Sequence, residues 1–380
     1  QHSEQPRATF KQASPYNFSS ISPQLLEAVR LVVGKADSPK VACIVATHSS
    51  FSGGLGDRVR SLYAQGMAAL LSGRQLRVEK ELLLTSSASG SGVLSLIDDP
   101  KCGIKMVNHR PGSTVRLNTN CLTKAGDFKA ELSKRSSSLP PATVAAAQAL
   151  MDACDGLRTV TVRDTSNSAN KEQTVQVKRA YECGALLLHA VAAEHLPEVN
   201  SMLQGVQHLF RAWQAVMVPN GYTALHLRTG SVQLPIKQGV SVASLPWTDL
   251  DMSSGRAPKW LAAQGSPAMA AFTKHPHKPV AIASDSALLV GLLQSRLWNS
   301  VRPMHCCVGA AHADKTKLRP EDDWQNLQQE LFDLAVMGNS ERLFVGGGGF
   351  WALGARLWGM ASDPLLFIDT GPDGSLPHFA

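Results

Sequence analysis

The stretch Val41–Arg77, VACIVATHSSFSGGLGDRVRSLYAQGMAALLSGRQLR, constrains the fold more than any other part of the chain. It opens on Val41-Ala42-Cys43-Ile44-Val45, an apolar run with β-branched residues that reads as a buried strand. A loop of small residues, Ser49 to Gly56, comes next. Leu55, Val59, Leu62, Gly66 and Leu70 then recur at helical spacing, and Gly73 supplies a stop. A strand, a glycine-rich turn and a helix start form a βα unit whose unpaired N–H groups and helix dipole suit an anion. A tight βα turn with no ligand reads the same way. No Lys-Ser or Lys-Thr follows the glycines, so the loop is not a nucleotide P-loop. Gly54-Leu55-Gly56-Asp57-Arg58-Val59 also lacks the third small residue and the later ribose acid of a dinucleotide fingerprint.

At 380 residues the chain is long enough for two domains, and its 44% hydrophobic and 18% charged residues are those of a globular protein. No run of eighteen apolar residues is present, so no transmembrane span is expected. The first residue is Gln, which suggests a trimmed chain; membrane contact is expected only through an anchor outside this sequence. The net charge of +7 is scattered, with no basic run interleaved with aromatics. Nucleic acid is therefore not an expected partner, and the surplus favours an anionic ligand. The seven cysteines show neither Cys-x-x-Cys nor zinc-ligand spacing. Cys43 and Cys306 lie in apolar strands and read as core residues, whereas one or two disulfides among Cys102, Cys121, Cys154 and Cys183 would suit a secretory enzyme. Asn17-Phe18-Ser19 is a glycosylation sequon compatible with that compartment.

In chain order, residues 1–20 are polar and read as a loose arm. A short helix capped by Ser22, with Pro23 in its first turn, is expected within 21–34. Leu76–Glu79 reads as a second strand. Residues 85–140 read as loops with short strands, including Thr114–Leu117. A helix over Pro141–Ala153, strands at Thr159–Val162 and Gln173–Lys178, and helices over Arg179–Glu194 and Pro197–Val216 come next. Pro219-Asn220-Gly221 breaks the chain, which divides it into residues 21–218 and 219–380. In the second part, strands at Thr223–Leu227, Val280–Ala283, Val301–Val308, Arg342–Val345 and Leu365–Ile368 alternate with helices at Ser286–Ser295, Glu321–Met337 and Trp351–Met360. Such alternation implies an α/β fold with parallel sheets and helices on both faces. Two open sheets of this kind would face one another across a cleft. Residues 231–278 read as a long loop over that cleft.

Three further stretches carry chemistry. His226-Leu227-Arg228-Thr229-Gly230-Ser231 ends a strand, and His226 and Arg228, two apart, point the same way. An arginine fork suits a diphosphate, although a salt bridge at a strand end would use the same residue. Ala283-Ser284-Asp285-Ser286 also follows an apolar strand, where helix capping is the simpler alternative. Asp333-Leu334 lies in a helix before Leu343-Phe344-Val345-Gly346-Gly347-Gly348-Gly349-Phe350, a second strand, glycine loop and helix.

In this order, the four stretches resemble the GDP-fucose-dependent fucosyltransferases related to the protein O-fucosyltransferases and the α1,2- and α1,6-enzymes. Gly53–Arg58 is similar to that family's Gly-Gly-Leu-Gly-[Asn/Asp]-Arg loop, and His226–Ser231 is similar to its His-Leu-Arg-x-Gly-Ser strand end. The resemblance implies a GT-B fold, with two facing Rossmann-like domains and a cleft between them. It also implies an inverting, metal-independent transfer of fucose from GDP-fucose to a glycan or glycoprotein hydroxyl, in the Golgi or endoplasmic reticulum lumen or after secretion. No resident cofactor or metal is expected; Asp249-Leu250-Asp251 has metal-ligand spacing but falls in the long Pro-rich insertion.

On this reading Arg228 meets charge on the leaving diphosphate, assisted by N–H dipoles of Gly53, Gly54, Gly56, Gly347, Gly348, Gly349 and Phe350 and by Arg58. His226 holds a phosphate or orients Arg228, and Asp57 is the candidate base, with a helix-start acid as its plainer role. Asp333 would accept the adjacent N–H donors of guanine, with Asp285 and Ser286 near the ribose or phosphates. Gly346–Gly349 stand where the family has serine or threonine, which motivates a rival: a nucleotide- or sugar-binding protein of this fold without turnover. A dinucleotide-dependent α/β oxidoreductase is the second rival.

Overall fold

A computed structural model of the chain describes residues 14–35, 43–46, 54–71, 73–78, 80, 83, 93–97, 116–118, 125–164, 172–227, 278–284, 300–301, 323–345, 350–360 and 362–368. Helix α1 (Pro23–Val33) starts where Ser22 Oγ accepts the Leu25 N–H at 3.2 Å and stops at Gly34, whose φ of 64° few other residues adopt. Strand β1 (Cys43–Ala46) leads through the glycine loop to α2 (Leu55–Leu71), and Gly73 turns the chain into β2 (Gln75–Val78), parallel to β1. Strand β3 (Val93–Ile97) lies antiparallel on the other side of β1, and β4 (Arg116–Asn118) closes a four-stranded mixed sheet of order β2-β1-β3-β4.

Helices α3 (Ala125–Arg135) and α4 (Pro141–Cys154) follow. The α3 segment fell within residues expected to be loops and short strands. It is a charged helix whose Glu131 pairs with Lys134 and Arg135 along one exposed side. Phe128 and Leu132, one turn apart, are its buried anchors. Two apolar residues make too thin a stripe to announce a helix.

The larger sheet has seven strands. Strands β5 (Leu157–Asp164) and β6 (Glu172–Lys178) form an antiparallel hairpin, and α5 (Ala180–His195) and α6 (Pro197–Met217) follow. Next come β7 (Thr223–Leu227), β8 (Val280–Ser284), β9 (Ser300–Val301), α7 (Asp323–Gly338), β10 (Arg342–Val345), α8 (Phe350–Leu357) and β11 (Leu365–Ile368). The order is β6-β5-β11-β10-β7-β8-β9, and every neighbouring pair except β5 and β6 is parallel. Ala224, Leu225, Val280 to Ala283 and Leu343 to Val345 are all buried, as central parallel strands require. The chain runs outward from β7 to β9, then returns to lay β10 on the other side of β7. Counted from β7, strands β7 to β11 thus lie in the order 3-2-1-4-5, that of a doubly wound sheet. The architecture is thus α/β, as expected. Strands β5 and β6 lie before residue 218 yet join this sheet through β11, so a division at 218/219 cuts across its strands.

Glycines set the helix crossings. A Cβ on Gly184 of α5 would collide with the Val59 carbonyl of α2. One on Gly338 of α7 would collide with the Gly354 carbonyl of α8, and one on Gly354 would lie 2.9 Å from the Leu334 carbonyl. These positions let backbones meet where any side chain would hold them apart. Of the four cysteines considered for pairing, Cys154 and Cys183 form a disulfide joining the end of α4 to the start of α5. Cys102 and Cys121 lie outside the described residues. At the N-terminal end of the parallel strands, Arg158 pairs with Asp363 and with Glu182 (2.7 Å), and Arg356 reaches Asp363 at 3.0 Å.

The last residues of the expected arm are packed. Tyr16 and Phe18 are buried, the Asn17 N–H donates to the Trp358 carbonyl at 3.2 Å, and Phe18–Ser20 form a 3-10 turn. Two aromatics outweigh the polar composition around them. Beneath them His189 is fully buried, bonded through Nδ1 to Ser14 Oγ (2.9 Å) and through Nε2 to the Leu357 carbonyl (2.7 Å). Burial pushes its pKa down to about 4, so it is a neutral core histidine.

Candidate functional site

Open α/β sheets leave a crevice beyond the carboxyl ends of the strands where the chain reverses direction across the sheet. Here that point lies between β7 and β10. His226 is the penultimate residue of β7, in register with Val345 of β10 on one side and Ala283 of β8 on the other. It is only 6% exposed, and its ring lies 5.9 Å from that of Phe350, the first residue of α8.

The first glycine loop arrives at the same place. Gly54 opens α2 by accepting hydrogen bonds from the N–H groups of Asp57 (3.0 Å) and Arg58 (3.2 Å). Gly56 is buried in the first turn, where an added Cβ would stand 3.4 Å from Phe350 Cα. The starts of α2 and α8 therefore abut beside the end of β7. Two helix N-termini bring two positive dipole ends to one crevice, an arrangement suited to a phosphate or diphosphate.

The other residues of α2 are placed differently. Arg58 is 2% exposed, drawn into the protein rather than toward solvent. Asp57 is partly exposed and pairs with Arg60 Nη2 at 3.2 Å, while the Arg60 guanidinium lies over the Tyr181 ring at 5.6 Å. Lys178 stands close enough that burial and the Arg60 charge lower its pKa, opposed by Asp57. Asp57 thus stands beside two cations, Arg60 and Lys178.

Helix α7 packs against β7, β8 and α8. Its Asp333 is 7% exposed and accepts a 2.9 Å hydrogen bond from Gln329 Nε2. Burial pushes the carboxyl up to about 7, against the opposing effect of Gln329, so at neutral pH it is poised between acid and carboxylate. Asn326 and Gln329 are buried with it, at the spacing of one helix face. Sequence reasoning picked out Asp333 but not these two amides, although their spacing from Asp333 was the available signal. Nothing in the sequence announced the contact between Gly56 and Phe350.

Gly53, Arg228, Asp285, Ser286, Gly347, Gly348 and Gly349 lie outside the described residues, as do Asp249 and Asp251. Among the described residues no group of three or more His, Cys, Asp or Glu side chains is placed to hold a metal ion. No described helix is long and apolar enough to cross a membrane. Comparison with protein-family models finds no match, and comparison with curated proteins finds no significant match.

Proposed function

We propose that this chain is a metal-independent, inverting glycosyltransferase of GT-B type that transfers fucose from GDP-fucose to a hydroxyl of a glycan or glycoprotein. The observation that carries the reading is the meeting of His226 with the starts of α2 and α8 at the β7/β10 crevice. It sets side by side Gly56, Phe350 and His226, residues that belong to or adjoin three stretches the resemblance treats as parts of one donor site. The diphosphate lies across the two helix starts. Arg228, two residues beyond His226 in the sequence, meets the negative charge that grows as the bond from the anomeric carbon to the diphosphate oxygen breaks. The acceptor oxygen forms the new bond from the opposite face. Its proton passes to Asp57, on the same turn as Gly56. Asp57 must loosen its partly buried pair with Arg60 to accept it. Asp333 accepts the guanine N–H donors, with Gln329 orienting its carboxylate. The Cys154–Cys183 disulfide supports an oxidising compartment, the Golgi or endoplasmic reticulum lumen or the exterior.

Thermal melts with GDP, UDP, ADP and NAD test the ligand class. GDP alone should raise the melting temperature; an equal response to UDP removes the guanine assignment, and a response to NAD alone favours an oxidoreductase. Transfer from GDP-fucose should persist in EDTA and fall about 10²–10³-fold in Arg228→Ala with the fold intact. Binding of GDP without transfer or donor hydrolysis would make the chain a binding protein of this fold.

A further inference from the structure

The 3-10 turn near the start of the described chain carries a feature that the donor site does not use. Asn17-Phe18-Ser19 is the one Asn-x-Ser/Thr sequence in the chain. Asn17 Oδ1 accepts from the Ser19 backbone N–H at 3.1 Å and from Ser19 Oγ at 2.7 Å. A backbone N–H can only donate, so this contact fixes which arm of the carboxamide is oxygen. The nitrogen arm, Nδ2, is taken up by neither of these contacts. Among the described residues no acceptor takes its hydrogens, and Asn17 is exposed. Its neighbours Tyr16 and Phe18 point inward, 7% and 4% exposed, which anchors the turn while the side chain between them stays outside.

We propose that Asn17 is an N-glycosylation site. An oligosaccharide on Nδ2 leaves both Oδ1 hydrogen bonds and the two aromatic anchors in place, so the folded turn accepts the modification without rearrangement. The donor is a lipid-pyrophosphate-linked oligosaccharide. The bond from its first sugar carbon to the pyrophosphate oxygen breaks, the bond from that carbon to Nδ2 forms, one Nδ2 proton leaves, and the lipid pyrophosphate departs with the electron pair. The proposal rests on the lumenal reading of the compartment, which the Cys154–Cys183 disulfide supports independently of the sequon.

The test is translation of the full chain, fused to a cleavable secretory signal, in the presence of rough microsomes. Protease-protected product is then compared with and without peptide-N-glycosidase. A single glycosidase-sensitive mobility step is expected, absent in Asn17→Gln and Ser19→Ala and retained in Ser19→Thr. Protected product with no such step overturns the proposal, as does a step that survives Asn17→Gln. The fused signal forces import, so this result is separate from the compartment reading. Recovery of the natural protein from cytosol would overturn the compartment and the modification together.

Discussion

Replacing Asp333 with Asn should stabilise the protein, and more so as pH rises. Burial raises this carboxyl from an ordinary 3.8 to about 7. Below pH 3.8 the folded and unfolded states both hold the proton, and the group contributes no difference. Between 3.8 and about 7 the unfolded chain releases it while the folded chain keeps it, so each rise in pH favours unfolding. Above about 7 the cost is complete, at about 4 kcal/mol from ~1.36 kcal/mol per pKa unit. Asparagine has the shape of the neutral acid, and its carbonyl can still accept from Gln329. With an unfolding entropy of about 2.1 cal/mol/K per residue, the variant should melt about 5 °C above the parent at pH 8 and about 2 °C above it at pH 5.

His189 runs the other way. Its pKa falls from 6.5 to about 4, so it costs stability as pH drops through that interval, by about 3 kcal/mol once the drop is complete. The two slopes oppose each other in the parent, and removing the Asp333 contribution exposes that of His189. Calorimetric melts of both proteins across this range measure the offset. An offset independent of pH, or a variant that melts below the parent at pH 8, would refute the account of a buried neutral acid. The same variant should also lose the preference for GDP over UDP.

Gly184→Ala should cost more than about 3 kcal/mol, because the new methyl meets a backbone carbonyl that cannot swing aside; near-parental urea midpoints would show that the α2–α5 crossing is looser than described. Reducing the Cys154–Cys183 disulfide, whose partners are 29 residues apart, should lower stability by about 3–4 kcal/mol, read from melts with and without dithiothreitol; an unchanged melt would mean that the bond contributes nothing.

The sequence was most legible where local chemistry decides the outcome. Strands Thr223–Leu227, Arg342–Val345 and Leu365–Ile368 form over the residues expected, because apolar runs of that length bounded by glycine or proline suit central strands. Ser22 and Pro23 marked the start of α1 for equally local reasons. The pairing of β5 with β11 was not legible, since nothing in Val160 or Val162 names a partner so distant in the chain. The candidate site divides the same way. His226, Gly56 and Phe350 were each visible as motif residues, whereas their meeting depends on how α2 packs against α8. That Asp333 is acidic could be read directly, but its burial beside Gln329 and Asn326 depends on the tertiary setting of α7.

The place of β11 has a consequence for how the protein is made. It sits between β5 and β10, and it alone links the β5–β6 hairpin to the rest of the large sheet. Val162 and its partner Leu366 are about two hundred residues apart, an interval of roughly 10–40 s at ordinary translation rates. Through that time the hairpin carries an unsatisfied strand edge, the kind of template that recruits other chains. The final strand must then enter between two edges already formed, and Asp363 binds Arg158 as it does so. A nascent chain of this protein is therefore most exposed to misassembly before β11 emerges, and a chaperone that shields the β5 edge until then would raise its yield more than one acting on the β1–β4 sheet.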